Sequence, residues 1–392
     1  MKKLLSFLLA ILTTIPVACF AQSDSWIGSW ASAPEYTGKG DMPKTVLAGN
    51  SLRQVIRMSR GGDTIRIKLS NEFGSSPVDI SSVYIAVAGD SNEIQDETVK
   101  YFNFGSKKNV VIPTGGAIYS DALDYTLPAL TKMSITICYG ERTPENATSH
   151  RGSRTYSYIA NGMVKPNKVF VTKEKLTHWY NIASLEVKSN IKGDAIAILG
   201  NSITDGRGST TDMQNRWTDF LATSLEGNTG VLNLGIGGNC VVSGGISEPA
   251  IKRFDRDILG QKGIDRVVIF EGTNDIGCCI GEYEAMSNKI IESYKLLIDK
   301  AHAKGLKVYG ATITPTKGNN WYSFFHEAMR QSVNEWIRAK GHFDGVIDFD
   351  KLVRDDSDKE KLKAEFSEDW LHLNPKGYEA MGKYAAKILK NK

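Results

Sequence analysis

Residues 195–206 read Ala-Ile-Ala-Ile-Leu-Gly-Asn-Ser-Ile-Thr-Asp-Gly, and no other stretch constrains the fold as much. A continuous apolar run stopped by glycine predicts a strand buried on both faces, the pattern of a parallel sheet. The strand ends at Gly200, and Ser202 falls in the turn just beyond it. In open α/β sheets, ligands bind outside the carboxyl ends of the strands. Ser202 is therefore either a nucleophile at a cleft or a serine that caps the next helix.

The residues that follow repeat the strand-then-helix alternation. Strands are predicted at 231–236, 266–272, 307–313 and 345–349, with helices near 215–225, 248–259, 282–304, 321–339 and 376–389. Alternation of this kind predicts a doubly wound parallel sheet. About 200 residues are enough to bury a core of their own. The preceding half has a different period. Apolar and polar residues alternate at 51–58, 63–69, 78–86 and 133–138, separated by Gly- and Pro-rich turns. Period two marks half-buried strands, and many short strands predict a β-sandwich or jelly roll. The expected division is a signal peptide at 1–21, a β-sandwich or jelly-roll-like domain at 22–190, and an α/β domain at 191–392.

Met1-Lys-Lys, an apolar segment from Leu4 to Val17 and small residues around Ala21 have the order of a secretory signal. Export of the mature chain is expected, with lipid attachment at Cys19 as the lesser alternative. No later stretch has the roughly 18 apolar residues that a membrane span needs. A net charge of +4 over 392 residues, with no basic run interleaved with aromatics, gives no expectation of nucleic-acid binding. Cys138, Cys240, Cys278 and Cys279 lack zinc-site spacing, so no metal is expected. A bridge from Cys240 to Cys278 or Cys279 is one possibility in an oxidising compartment.

Several polar residues end up together if the sheet is parallel. Ser202 follows the first strand, Gly238 the second and Asn274 the third, all at one edge. Asp369-Trp-Leu-His372 precedes the last helix. An Asp three residues before a His can hold one imidazole nitrogen and leave the other facing a serine. Ser202 would attack an ester carbonyl, His372 would move the proton, and Asp369 would fix the tautomer. The N–H groups of Ser202 and Gly238 and the Asn274 amide are the available oxyanion donors.

Gly200-Asn-Ser202, Asn233-Leu-Gly-Ile-Gly-Gly238, Gly272-Thr-Asn274-Asp275 and Asp369-Trp-Leu-His372 resemble, in order, the four sequence blocks of the SGNH (GDSL-like) hydrolases. The resemblance covers roughly residues 193–391. It implies a flavodoxin-like α/β/α fold and ester hydrolysis without a metal or other cofactor. It further implies Ser202 as nucleophile, Asp369 and His372 as its triad partners, and Gly238 and Asn274 in the oxyanion hole. Gly237 and Gly235 are alternatives to Gly238. Asn201 stands where the family's name motif has Asp. The β domain resembles, more loosely, accessory jelly-roll domains of carbohydrate esterases. The substrate this implies is an O-acyl ester on a carbohydrate, O-acetyl first among them. A lipase or thioesterase for longer acyl chains and an inactive carbohydrate-binding protein are the alternatives. Oligomeric state is not legible.

The remaining polar residues have plainer expectations. Asp205, Arg207 and Asp212 are turn or cap residues that could also line the cleft. Asp275 braces its loop. Arg253, Asp255, Arg256 and Asp257 form a solvated, salt-bridged helix face. His150 and His178 have no partner cluster, and His302, His326 and His342 lie at the surface. Trp26 and Trp30 pack in a core or present a sugar-stacking face. Asn146-Ala-Thr148 fits a glycosylation acceptor.

Overall fold

The computed structural model of the chain describes residues 25–167, 170–189 and 194–390. The predicted signal peptide and Cys19 lie outside the described residues. Strands Ala195–Gly200, Gly230–Gly235, Ile264–Phe270, Lys307–Ala311 and Gly345–Ile347 form one parallel sheet. Numbered by their order in the chain, they lie 2-1-3-4-5 across it. This is the flavodoxin-like order, whose direction reverses between the first and third strands. All six residues of Ala195–Gly200 are buried, which explains the uninterrupted apolar run there.

Among the described residues, eight α-helical segments accompany the sheet: α1 Ser202–Asp205, α2 Trp217–Ser224, α3 Ala250–Phe254, α4 Thr273–Gly277, α5 Tyr283–His302, α6 Phe324–Arg338, α7 Phe349–Val353 and α8 Pro375–Leu389. Their starts follow local chemistry. Ser323 accepts a hydrogen bond from the His326 N–H at the head of α6. Asn374 does the same for Gly377 at α8, where Pro375 takes the first helical position. A π-helical turn at Asp255–Leu259 continues α3.

The first half is antiparallel and β-rich. Strands 25–31, 182–189, 62–70 and 117–119 run side by side, with 123–127 also paired to 62–70. A second sheet contains 174–176, 157–160, 51–57, 132–139, 78–87 and 100–102, with 110–112 paired to 78–87. A small third sheet joins 179–180, 147–150 and 35–37. Ile65, Ile67 and Leu185 of the first sheet share a buried cluster with Ile56, Ile85 and Ile135 of the second. The same cluster continues into Leu232, Leu234 and Val267 of the parallel sheet. Strand 25–31 lies against 230–235, an edge of the parallel sheet, with Gly28 close enough that a Cβ there would touch Leu232. The Gly28 N–H donates to Lys262 O, and Ser59 Oγ accepts from the Val231 N–H. An edge that would otherwise be exposed is thereby covered.

Individual side chains decide between the alternatives. Asn146 is buried, accepting from the Ser75 N–H at 2.9 Å and donating to Phe73 O, so its amide is engaged inside the protein. Trp30 is buried edge-on to Trp179 and packs in the core, and Arg66 covers one face of the half-buried Trp26 ring at 4.3 Å. Cys138, Cys240, Cys278 and Cys279 are free, and the considered bridge from Cys240 is absent. Cys278 is exposed, whereas the Cys279 thiol faces Gly281 O at 3.1 Å. Among the described residues, no helix is long and apolar enough to cross a membrane, and no cluster of metal-ligating side chains occurs.

Candidate active site

The first parallel strand delivers Ser202 to the start of α1. Asn201 caps that helix, its side-chain oxygen accepting from the Ile203 N–H at 3.1 Å. Gly206, at φ 100°, closes it in the left-handed region that favours glycine. As the first helical residue, Ser202 has a backbone N–H without an intrahelical acceptor. Its Oγ lies 2.9 Å from His372 Nε2. His372 Nδ1 lies 2.7 Å from Asp369 Oδ2. The Asp369-to-His372 turn is held locally, with Asp369 Oδ1 accepting from the N–H groups of Leu371 at 3.0 Å and His372 at 2.8 Å. Trp370 takes the left-handed conformation at φ 60° that this tight turn requires.

These three residues, predicted from far-apart motifs, form one hydrogen-bonded chain. Burial, together with the positive charge of Arg207 and Arg154, holds His372 below its ordinary value, although Asp369 pulls it upward. The imidazole is therefore neutral at neutral pH and able to accept a proton. Burial pushes Asp369 up, but hydrogen bonds from the His372 ring and from the turn outweigh it and leave the carboxylate below its usual range.

Beside Ser202 opens a cavity of about 590 Å³ whose lining includes Gly237, Gly238, Asn274, Trp321 and His372. Asn274 donates from Nδ2 to Asn239 O at 2.6 Å. That leaves the second amide hydrogen for a group in the cavity. Gly238 is left-handed at φ 72°, and a Cβ there would strike Ile246 at 2.7 Å. Gly235 is packed against Asp205 N and Thr204 instead, while Gly237 lines the cavity with Gly238. Asp275 braces the neighbouring loop by accepting from the N–H groups of Val241 and Val242, each at 2.9 Å.

Other parts of the site escape the sequence pattern. Arg253 is fully buried, not solvated. It donates to Leu234 O at 2.8 Å, Gly200 O at 3.2 Å and Asn239 Oδ1 at 3.0 Å, and it faces Asp257 at 3.3 Å and Glu271 at 3.5 Å. One guanidinium thus ties together the ends of the first and second strands and the loop that holds Asn274. Burial and the nearby Asp275 hold Glu271 well above its ordinary value, against the pull of Arg253.

The β-rich half also reaches into the site. His150 Nε2 lies 3.0 Å from Asp205 Oδ1, and its Nδ1 lies 3.0 Å from Ala33 O, so His150 does have a partner cluster. Arg154 donates to the other oxygen of Asp205. Burial opposes charge on both members of the His150–Asp205 pair. The facing charges overcome it, holding His150 above and Asp205 below their ordinary values. Gly152 approaches so closely that a Cβ there would lie 2.1 Å from the Asp205 carboxylate. Glu35, Arg151, Gly152 and Arg154 all line the cavity. Of the loop residues after Ser202, Arg207 reaches the cavity, and Asp212 accepts from Thr155 Oγ1 at 2.8 Å and the Tyr156 N–H at 2.7 Å. His326, expected at the surface, spans Trp321 O at 2.6 Å and Cys279 O at 2.9 Å.

Residues 198–380 match the GDSL-like Lipase/Acylhydrolase family. A lipoprotein of Bacillus subtilis (strain 168), YqeF, whose name describes it as uncharacterized, is 29% identical over 144 residues, which is 35% of this chain and 56% of that protein. The chain thus spans little more than half the length of this curated relative. Similar solved structures include a GDSL-like lipase from Bacteroides thetaiotaomicron VPI-5482, at 20% identity over 50% of this chain and 86% of that one, with a TM-score of 0.39. A mutant of an acetyl-xylooligosaccharide esterase from Geobacillus is similar at 16% identity over 51% of this chain and 96% of that one, with a TM-score of 0.38. The matched segment contains Ser202, Gly238, Asn274, Asp369 and His372, and over residues 198–380 the chain carries a domain of the GDSL-like lipase/acylhydrolase family.

Proposed function

We propose that the protein is an exported serine esterase that removes small O-acyl groups, acetyl first among them, from a carbohydrate. The hydrogen-bonded run from Ser202 through His372 to Asp369, opening on a cavity with unused donors, is the observation that carries this reading. Ser202 Oγ attacks the ester carbonyl while His372 Nε2 takes its proton. The proton then passes to the leaving alcohol, and an acyl-Ser202 intermediate remains. Water, deprotonated by the same imidazole, releases the acid and restores Ser202. Asp369 keeps the hydrogen on Nδ1 and stabilises the imidazolium. The Ser202 and Gly238 N–H groups and the free hydrogen of the Asn274 amide receive the oxyanion. No metal or cofactor is called for. The carbohydrate assignment draws on the open cavity, whose lining carries several charged side chains, and on the β-rich half at its wall. Export draws on the signal-like N-terminus.

The test is hydrolysis of p-nitrophenyl acetate by the full chain and by Ser202→Ala and His372→Ala. Both variants are expected to stay folded and lose activity, and full activity in either sinks the mechanism. Exposed Ile280, Phe324 and Phe325 favour a second reading, hydrolysis of longer acyl chains. A p-nitrophenyl ester series decides between them, since acetate is the best substrate in the first reading and an octanoate or longer ester in the second.

A further inference from the structure

Six charged side chains line the cavity: Glu35, Asp205, Asp369, Arg151, Arg154 and Arg207. Each carboxylate is answered. Glu35 pairs with Arg151 at 2.7 Å, Asp205 with His150 and Arg154, and Asp369 with His372. Those pairs also engage two of the arginines. The Arg207 guanidinium has no carboxylate partner among the described residues, and the residue is exposed.

Its backbone is nonetheless fixed beside the imidazole. Tyr378 donates its hydroxyl hydrogen to Arg207 O at 2.5 Å. The next residue, Gly208, has φ 93°, and a Cβ there would lie 2.3 Å from Leu373 O and 3.6 Å from His372 Cβ. An unanswered cation at this place opposes the imidazolium that acyl transfer creates, and it holds His372 down. The same cavity wall holds Arg154 Nε, a buried donor without a hydrogen-bond partner. A substrate bringing one negative charge would pair with Arg207 and relieve the imidazolium. Guanidinium is the group best shaped for a carboxylate, which it can grip through two parallel hydrogen bonds.

We propose that Arg207, with Arg154 in the same wall, forms an anion subsite, and that the acyl ester cleaved at Ser202 belongs to a molecule carrying one carboxylate near the acylated hydroxyl, as in an O-acetylated uronic acid. This rests on the esterase reading above. It makes the substrate an acidic saccharide rather than a neutral one, and it makes turnover sensitive to salt, because an exposed cation is screened by ions.

The test uses the full chain and a matched pair of substrates, O-acetylated galacturonic acid and its methyl ester, which differ at the carboxyl group alone, with release of acetate as the readout. The wild type is expected to favour the acid by about tenfold or more in kcat/KM at low salt, the scale of one charge-assisted contact. Arg207→Gln is expected to bring that ratio close to one and to move the acidic limb of the p-nitrophenyl acetate pH profile upward. A purely structural role would not produce that shift. Lys304→Gln, on an exposed site just past the C-terminal end of α5, is expected to leave the ratio unchanged. Equal hydrolysis of the two esters by the wild type, or a preference that survives Arg207→Gln, overturns the subsite alone. Failure to cleave any acetyl ester overturns the esterase reading and the subsite with it.

Discussion

Replacing Arg253 by Met tests how the site is held together. The sequence places Arg253 and Asp255 on one charged helix face, whereas the structure separates them completely. Arg253 is fully buried, with donors on three strand-end or loop acceptors and two carboxylates facing it. The Asp255 side chain is 63% exposed and paired with Lys300 at 2.8 Å. Removing one partner of a buried ion pair costs about 3–5 kcal/mol, because the other charge is left in a poor medium. Two features of this site point to the lower end. Asp257 keeps Arg256 at 2.6 Å, and Glu271 is already held toward its neutral form by burial. We therefore expect Arg253→Met to lose about 3 kcal/mol in urea unfolding, and Asp255→Ala less than about 1 kcal/mol, the range of exposed pairs. Losing the anchors on Gly200 O and Leu234 O should also loosen Ser202 against the oxyanion donors. A displacement near 1 Å costs roughly 10²-fold in rate, so hydrolysis of p-nitrophenyl acetate should fall on that scale in Arg253→Met. An Arg253→Met chain that unfolds within about 1 kcal/mol of wild type and keeps its rate would refute the idea that this guanidinium anchors the site.

The other expectations follow from the same geometry. Asn274→Ala should lower kcat on p-nitrophenyl acetate by about 10²–10³-fold with little change in KM, since the donor acts on the oxyanion; an unchanged kcat removes Asn274 from the oxyanion hole. Because His372 is held below 6.5, its base form persists as pH falls. The acidic limb of kcat/KM should therefore have its midpoint below 6.5, and a midpoint above that contradicts the assigned environment. Gly152→Ala would drive a Cβ into the Asp205 carboxylate. It should cost about 1–3 kcal/mol of stability and reduce ester hydrolysis, whereas a neutral effect in urea unfolding would show that the two halves meet less tightly there.

Much of the molecule is written locally. The alternation at 51–58 and 63–69 and the apolar run at 195–199 become strands because side-chain periodicity is a property of a few neighbouring residues. Ser202, Asn274, Asp369 and His372 could be singled out because each follows a strand or precedes a helix with a recognisable start. The parallel order then carries them to one edge. The fate of a charged side chain is not written locally. Arg253 and Asp255 stand two positions apart, and only the packing of α3 against the strand ends decides which one is buried. His150 and Asp205 are likewise 55 residues apart, and no short-range pattern relates them. Their pairing exists because strand 147–150 is carried over the end of α1. Asn201 caps α1 through its oxygen, the part an Asp would share, but a neutral side chain next to Glu271 adds no second carboxylate to that buried pocket. The sequence alone pointed to the five parallel strands, the longer helices and the residues that are candidates to react. Tertiary structure decided which charges are desolvated, which are paired across the two halves, and that Arg207 is left over. Desolvation and Coulomb energy depend on distance in space, which no spacing along the chain encodes.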